Sequence, residues 1–217
     1  MSNITLCITS FNRWELLKEC IDTLLKINTY PINKWIISED SGDEEMLMKI
    51  KANYGELFNN ILFSNKVGQC KSIDNMYNLV DTKYILQLED DYKFYGNFNF
   101  IAQSIEILEN NPDITRVGIT HNCPRDWKNV IEVGTFDMMK PDLFGGWGYW
   151  SHTPAVIRLE DYKRIFPEGY AKYHENNVRL DILEYRLNLI AKESGCKSAI
   201  LKNGSCITTG NNKSTYK

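Results

Sequence analysis

The chain has 217 residues, 43% hydrophobic and 24% charged, which is the balance of a globular protein large enough for a substantial core. Lys plus Arg number 25 against 28 Asp plus Glu, a formal net charge of -3, so no basic face points to nucleic acid. No apolar run is long enough for a membrane-spanning helix.

The opening "MSNITLCITS" lacks the basic start and long apolar centre of a signal peptide. Six cysteines (Cys7, Cys20, Cys70, Cys123, Cys196 and Cys206) are scattered without a Cys-x-x-Cys pair. Their placement in apolar runs predicts reduced core thiols and a cytoplasmic location. His121, His152 and His174 are too dispersed for a zinc site.

Strand and helix alternate through the first half. "ITLCITS" (4–10) predicts a strand. The following helix places Trp14, Leu17, Ile21 and Leu24 or Leu25 on one face, with Asn12 and Glu15 as a capping pair. "KWIIS" (34–38) is the second strand, followed by a helix ending near Gly55. "NILFS" (60–64) is the third strand, "CKSIDNMYNLV" the third helix and "KYILQL" (83–88) the fourth strand. Helices of this length between strands predict a mostly parallel sheet with right-handed crossovers.

Beyond residue 91 the pattern loosens. A helix is expected near 98–110, then strands near 115–120 and 129–134, and a glycine- and aromatic-rich loop, "FGGWGYWSHTP" (144–154). "AVIRL" predicts a strand, followed by a short helix, a long helix over about 177–194, and "SAILKNG"; the tail from "TTGNN" is polar. With no linker or repeat, 1–217 reads as a single domain. It divides into two functional halves, about 1–95 and about 96–217.

Ligands of open parallel sheets bind beyond the carboxyl ends of the strands. Those ends carry "TSFNR", "SEDSGDE", "SNKVGQ" and "EDDY". Neither GxxxxGK[ST] nor a GxGxxG after the first strand is present, which excludes a P-loop and a dinucleotide fingerprint. Three adjacent carboxylates, Glu89, Asp90 and Asp91, repel one another unless they hold something. A divalent cation, Mn2+ or Mg2+, shared with a diphosphate answers that, because such ions bind through one or two carboxylates plus substrate phosphates.

"ITLCITSFNR", "WIISEDSGDEE", "NKVGQCKSIDN" and "YILQLEDD" together resemble the successive signatures of A-type (GT-A fold), family-2-like glycosyltransferases. The resemblance covers most of the first 95 residues. It implies an α/β, Rossmann-like nucleotide-diphospho-sugar transferase fold, with a mixed, mostly parallel central sheet flanked by helices. It also implies metal-dependent transfer from a nucleoside diphosphate sugar, UDP favoured and dTDP possible, to a glycan or other hydroxyl acceptor. By this resemblance Thr9, Phe11 and Arg13 flank nucleobase and ribose, and Asp40, with Glu39 nearby, accepts the imino hydrogen of uracil or thymine. Lys71 or Asn75 lies near nucleotide or sugar. Asp91 binds the metal, and Asp90 or Glu89 contacts ribose, sugar or a metal-bound water. The family pattern is Asp-x-Asp or a close variant, from which Glu89 departs.

Inverting transfer in such families uses a carboxylate at the start of a late helix, before an arginine; here Asp181 precedes Arg186, with Glu175 and Glu184 as rivals. Trp147, Tyr149 and Trp150 either stack acceptor sugars or form a buried aromatic hinge, and His152, a lone histidine, is more often structural than a metal ligand. The rival readings are a nucleotidyltransferase, which needs a glycine- and lysine-rich loop where "TSFNRWE" has one arginine and no glycine, and a non-catalytic nucleotide-sugar-binding module.

Overall fold

A computed structural model describes residues 3–96, 98–120, 130–133, 136–139, 149–174 and 180–210. The strands are β1 (Ile4–Ser10), β2 (Lys34–Glu39), β3 (Asn60–Phe63), β4 (Tyr84–Glu89), β5 (Tyr92–Phe94), β6 (Ile114–Gly118), β7 (Val130–Val133), β8 (Phe136–Met139), β9 (Ala155–Arg158), β10 (Lys197–Leu201) and β11 (Cys206–Thr208). The helices are α1 (Trp14–Ile27), α2 (Glu44–Tyr54), α3 (Gln69–Tyr77), α4 (Phe100–Asn110), α5 (Leu159–Ile165) and α6 (Leu180–Glu193).

Nine strands form one sheet in the order β3-β2-β1-β4-β9-β6-β10-β8-β7. The block β3-β2-β1-β4 is parallel throughout, and β9 lies antiparallel between β4 and β6. β10 returns parallel to β6, so only β9 and β8 run against the rest. The expected mixed, mostly parallel sheet is therefore present, and it continues from the first half of the chain into the second.

Each sheet face carries its own core, as the period-2 alternation of strand side chains requires. Ile4, Leu6 and Ile8 of β1 pack with Leu17, Ile21 and Leu24 of α1, Met46 and Ile50 of α2, and Phe100, Ile101 and Leu108 of α4. Cys7 of β1 and Ile85 of β4 face the other way, toward Ile73, Met76 and Tyr77 of α3, Tyr162 and Ile165 of α5, and Leu183 and Leu187 of α6. Leu24, rather than the exposed Leu25, completes the α1 stripe.

Two local expectations are corrected. No side chain caps α1: Asn12 adopts φ +50 and turns its amide to Asp43 Oδ2 (3.0 Å), and the helix starts after Arg13. Strands also form where only loop was expected, at β5, β8 and β11. β5 and β11 are short partners, with Tyr92 opposite Thr208 and Phe94 opposite Cys206, too brief to show an alternation. The described cysteines, Cys7, Cys20, Cys70, Cys196 and Cys206, are buried and unpaired. Among the described residues no helix is long and apolar enough to cross a membrane.

Candidate active site

The chain runs from β1 outward to β2 and β3, then returns to place β4 on the opposite side of β1. This reversal makes the carboxyl ends of β1 and β4 a topological switch point, where the two departing crossovers leave a crevice. Register sets the residues there: Ser10 is opposite Glu39, and Thr9 is opposite both Ser38 and Glu89.

The turn from β1 into α1 is held from both sides by carboxylates. Asn12 N–H donates to Glu39 Oε1 (3.1 Å), and Phe11 N–H donates to Asp90 Oδ2 (3.3 Å). Arg13 then folds its guanidinium over the acidic triplet. Its Nε donates to Asp90 Oδ2 (3.2 Å), one Nη pairs with Asp90 Oδ1, and the other Nη lies 3.3 Å from Asp91 Oδ2. Asp90 is fully buried, and burial raises its carboxyl to about 6 even though Arg13 pulls the other way.

Glu89 points to the opposite sheet face and accepts from Gln69 Nε2 (2.7 Å). Burial first, then the charges of Asp91 and Glu184, push it up to about 8, and the Gln69 amide resists. Glu184, on α6, is anchored by His152 N–H, which donates to its Oε1 (2.8 Å). One turn later Asn188 Oδ1 accepts from Tyr149 N–H (2.9 Å) and Trp150 N–H (3.0 Å). Helix α6 thus grips the segment after the aromatic loop with two side chains.

Asp91 is approached from the C-terminal end of the described chain. Thr209 donates to the Asp91 carbonyl through its N–H (2.8 Å) and Oγ1 (3.2 Å), and a Cβ at Gly210 would lie 2.6 Å from Asp91 Cβ. Only glycine fits there. Asp91 Oδ1 is buried without a hydrogen-bond partner.

Glu39 and its neighbour Asp40 have contrasting environments. The Asp40 carboxylate, wholly buried, accepts from Ser64 Oγ (2.7 Å), Val67 N–H (2.8 Å) and Gly68 N–H (2.8 Å), so it is engaged in shaping the β3–α3 loop. Glu39 accepts on Oε1 from Asn12 and Ser41, and its buried Oε2 has no partner.

The crevice therefore brings together Thr9, Phe11, Arg13, Glu39, Glu89, Asp90 and Asp91. Lys71 is exposed and Asn75 half-buried on α3. Asp181 falls in the first turn of α6, and its side chain lies outside the described residues, as do Glu175 and Trp147. Trp150 is fully buried, its Nε1 donating to the Tyr170 hydroxyl (2.7 Å), and His152 packs against Tyr170; both belong to a buried aromatic cluster. Gln69 and Gly210 escaped the sequence reading because their roles depend on partners from distant strands, and Glu184, named there only as a rival base, is held by the His152 N–H for the same reason.

Among the described residues no three His, Cys, Asp or Glu side chains are grouped as a metal cage. The donor set is nevertheless that of a hard cation: carboxylate oxygens only, with Asp91 Oδ1 still to be satisfied.

The architecture has solved counterparts. The mannosyltransferase PcManGT from Pyrobaculum calidifontis, in complex with GDP-Man and Mn2+, superposes with a TM-score of 0.64 at 11% identity over 99% of this chain and 58% of that one. S. aureus TarS 1-349 in complex with UDP-GlcNAc gives 0.67 at 11% identity, over 94% of this chain and 58% of that one. The chain thus spans under three-fifths of either protein, and at such identity the likeness establishes the fold. No sequence among curated proteins matches significantly. The sequence profile described as Glycosyl transferase family 2 matches residues 5–166, which span the switch point, both carboxylate groups and the β9 strand behind them. The chain belongs to glycosyl transferase family 2.

Proposed function

We propose that the protein transfers a sugar from a nucleoside diphosphate sugar, UDP-linked in preference and dTDP-linked as the alternative, to an acceptor hydroxyl with inversion. The observation that carries this reading is the pair of orphaned carboxylate oxygens, Glu39 Oε2 and Asp91 Oδ1, on either side of the β1–α1 turn. Buried polar atoms are nearly always paired, so two unpaired oxygens in one crevice are consistent with a ligand that completes them.

Each oxygen suits a different part of the donor. A carboxylate only accepts, so Glu39 Oε2 fits the N3–H of uracil or thymine and repels the acceptor edge of adenine. Glu39 takes over the nucleobase role expected of Asp40, since Asp40 already has three donors of its own. Thr9, Phe11 and Arg13 line the way from the nucleobase to the acidic triplet. Asp91 is the metal ligand, with Glu89 and Asp90 behind it, and a Mn2+ or Mg2+ held there neutralises charge on the leaving diphosphate. Lys71 and Asn75, one turn apart on α3, face sugar or phosphate.

Deprotonation of the acceptor hydroxyl falls to Asp181, in the first turn of α6. Glu184, its rival one turn later, has one oxygen committed to the His152 N–H. Family membership favours sugar transfer over nucleotide-sugar synthesis, and the absence of glycine from Phe11-Asn12-Arg13 points the same way.

The test is a thermal-shift panel of UDP, dTDP, GDP and ADP, with and without Mn2+, followed by assay of UDP-sugar turnover. A ligand specific to the folded state raises the midpoint. UDP with Mn2+ is expected to give the largest shift, and Asp91→Asn to lose the Mn2+-dependent part. Asp181→Asn should lower turnover roughly a hundredfold with donor affinity unchanged. A protein that binds UDP and Mn2+ but turns over no sugar nucleotide is the non-catalytic module instead.

A further inference from the structure

Arg13 lies over the two carboxylates, Asp90 and Asp91, beside which a divalent cation would be held. It meets Asp90 through two nitrogens, with Phe11 N–H supplying a further donor to the same carboxylate. Asp90 thereby accepts three hydrogen bonds, one of them on Oδ1, and is fully buried, so most of its acceptor capacity is taken by the β1–α1 turn. The remaining Nη of Arg13 reaches Asp91 Oδ2 at 3.3 Å, the long end of a hydrogen bond, while Oδ1 of the same carboxylate has no partner. Asp91 therefore has one oxygen within reach of a guanidinium nitrogen and one buried oxygen with no hydrogen-bond partner. Arg13 is only 15% exposed in its side chain and is fixed by the start of α1, so it cannot withdraw far.

Given the metal-dependent reading above, on which this rests, we infer that Arg13 is a resident counter-cation that competes with the divalent ion for Asp91 and makes tight metal binding depend on prior or simultaneous arrival of the nucleotide diphosphate. With the crevice empty, Arg13 already offsets much of the negative charge of the triplet, and a metal entering beside it meets like charge at close range. A diphosphate adds negative charge between the two cations and lets both stay: Arg13 on Asp90, the metal on Asp91. The guanidinium also has planar donors suited to phosphate oxygens once its Asp91 contact is released. The consequence is a binding order, in which the metal does not populate the empty protein.

Mn2+ titration followed by electron paramagnetic resonance, with Mn2+ alone and with UDP, reads this directly and needs no acceptor. In the native protein UDP is expected to tighten Mn2+ binding by at least about tenfold. Arg13→Gln should bind Mn2+ alone on the order of tenfold more tightly than the native protein, the scale of one removed charge at this range, and the UDP enhancement should shrink correspondingly. Arg13→Lys, which keeps the charge, should stay near native, and adding Asp91→Asn to Arg13→Gln should erase the gain. Unchanged or weaker Mn2+ binding by a folded Arg13→Gln protein overturns the inference. So does native Mn2+ affinity that is indifferent to UDP while UDP itself binds, an outcome that stands even if Arg13→Gln fails to fold. A native protein that binds no Mn2+ under either condition overturns the metal reading beneath it as well.

Discussion

Glu39 and Asp40 are consecutive carboxylates on opposite faces of one strand end, and their environments separate what their sequence cannot. Glu39→Gln keeps an oxygen for the Asn12 and Ser41 amides but presents an amide donor where Oε2 stood. The UDP-over-ADP preference should fall by about 1–3 kcal/mol, measured by competition calorimetry, because uracil loses its acceptor and adenine gains a donor. Asp40→Ala should leave that ratio unchanged and instead cost about 1–3 kcal/mol in urea unfolding, since two part-buried N–H groups and the Ser64 hydroxyl lose their acceptor. The reverse pattern, with selectivity moving in the Asp40 variant and stability in the Glu39 variant, would return the nucleobase to Asp40. The sequence shows an acidic pair at a strand end; strand parity assigns each member a face, and only the β3–α3 loop, some 25 residues later, shows which is already occupied.

At the scale of elements, α3 is tied to the second half of the chain by Asp74. Its carboxylate accepts from the Tyr162 hydroxyl (2.7 Å), Tyr170 N–H (2.8 Å) and Ala171 N–H (2.8 Å). Gly169, at φ +81, passes so close that a Cβ would sit 2.6 Å from Asp74 Oδ2. Asp74→Ala is expected to lower unfolding free energy by about 3 kcal/mol, as three buried donors lose one acceptor, and Gly169→Ala to be destabilising through both its φ and the clash. Denaturant midpoints measure both. The β1–α3 succession was legible because period-2 runs alternate with period-3.6 runs and punctuate at polar ends. Asp74 was not, because its partners lie 88, 96 and 97 residues downstream and "SIDNMY" gives no sign of them. The same holds for Asn188, and for Glu184 beyond its candidacy as a base: the two prove to be a grip on Tyr149, Trp150 and His152.

For the molecule as a whole, His152 sets an acid limit. It is buried beside Tyr170, and burial, with a smaller push from Arg116, lowers its pKa from 6.5 to about 4. The folded protein therefore holds it neutral while the unfolded chain takes up a proton below pH 6.5. Stability from this group is complete above pH 6.5 and is lost as pH falls toward 4, by up to about 3 kcal/mol. Between pH 7.5 and 4.5 the unfolding free energy of the native protein should fall by about 2–3 kcal/mol more than that of His152→Gln; parallel profiles would remove His152 as the cause. The sheet that carries all of this was legible in outline, its first four strands almost to the residue. Its edge-side strand β8, and the separate pair β5 and β11, needed partners the sequence does not announce.

The contact of Thr209 and Gly210 with Asp91 has a practical consequence for anyone handling the protein. A polyhistidine tag fused a few residues after Gly210 would be held close to Asp91, because each residue of tether spans at most about 3.6 Å. Its imidazoles would then be within range of the crevice and would compete for the Mn2+ whose binding is being measured. The start of β1 lies at the other end of the parallel strands, with Asn3 bonded to Lys83 and Tyr84 at the amino edge of the sheet. A purification handle belongs on that amino edge, and one that follows Gly210 should be cut away before any metal titration is believed.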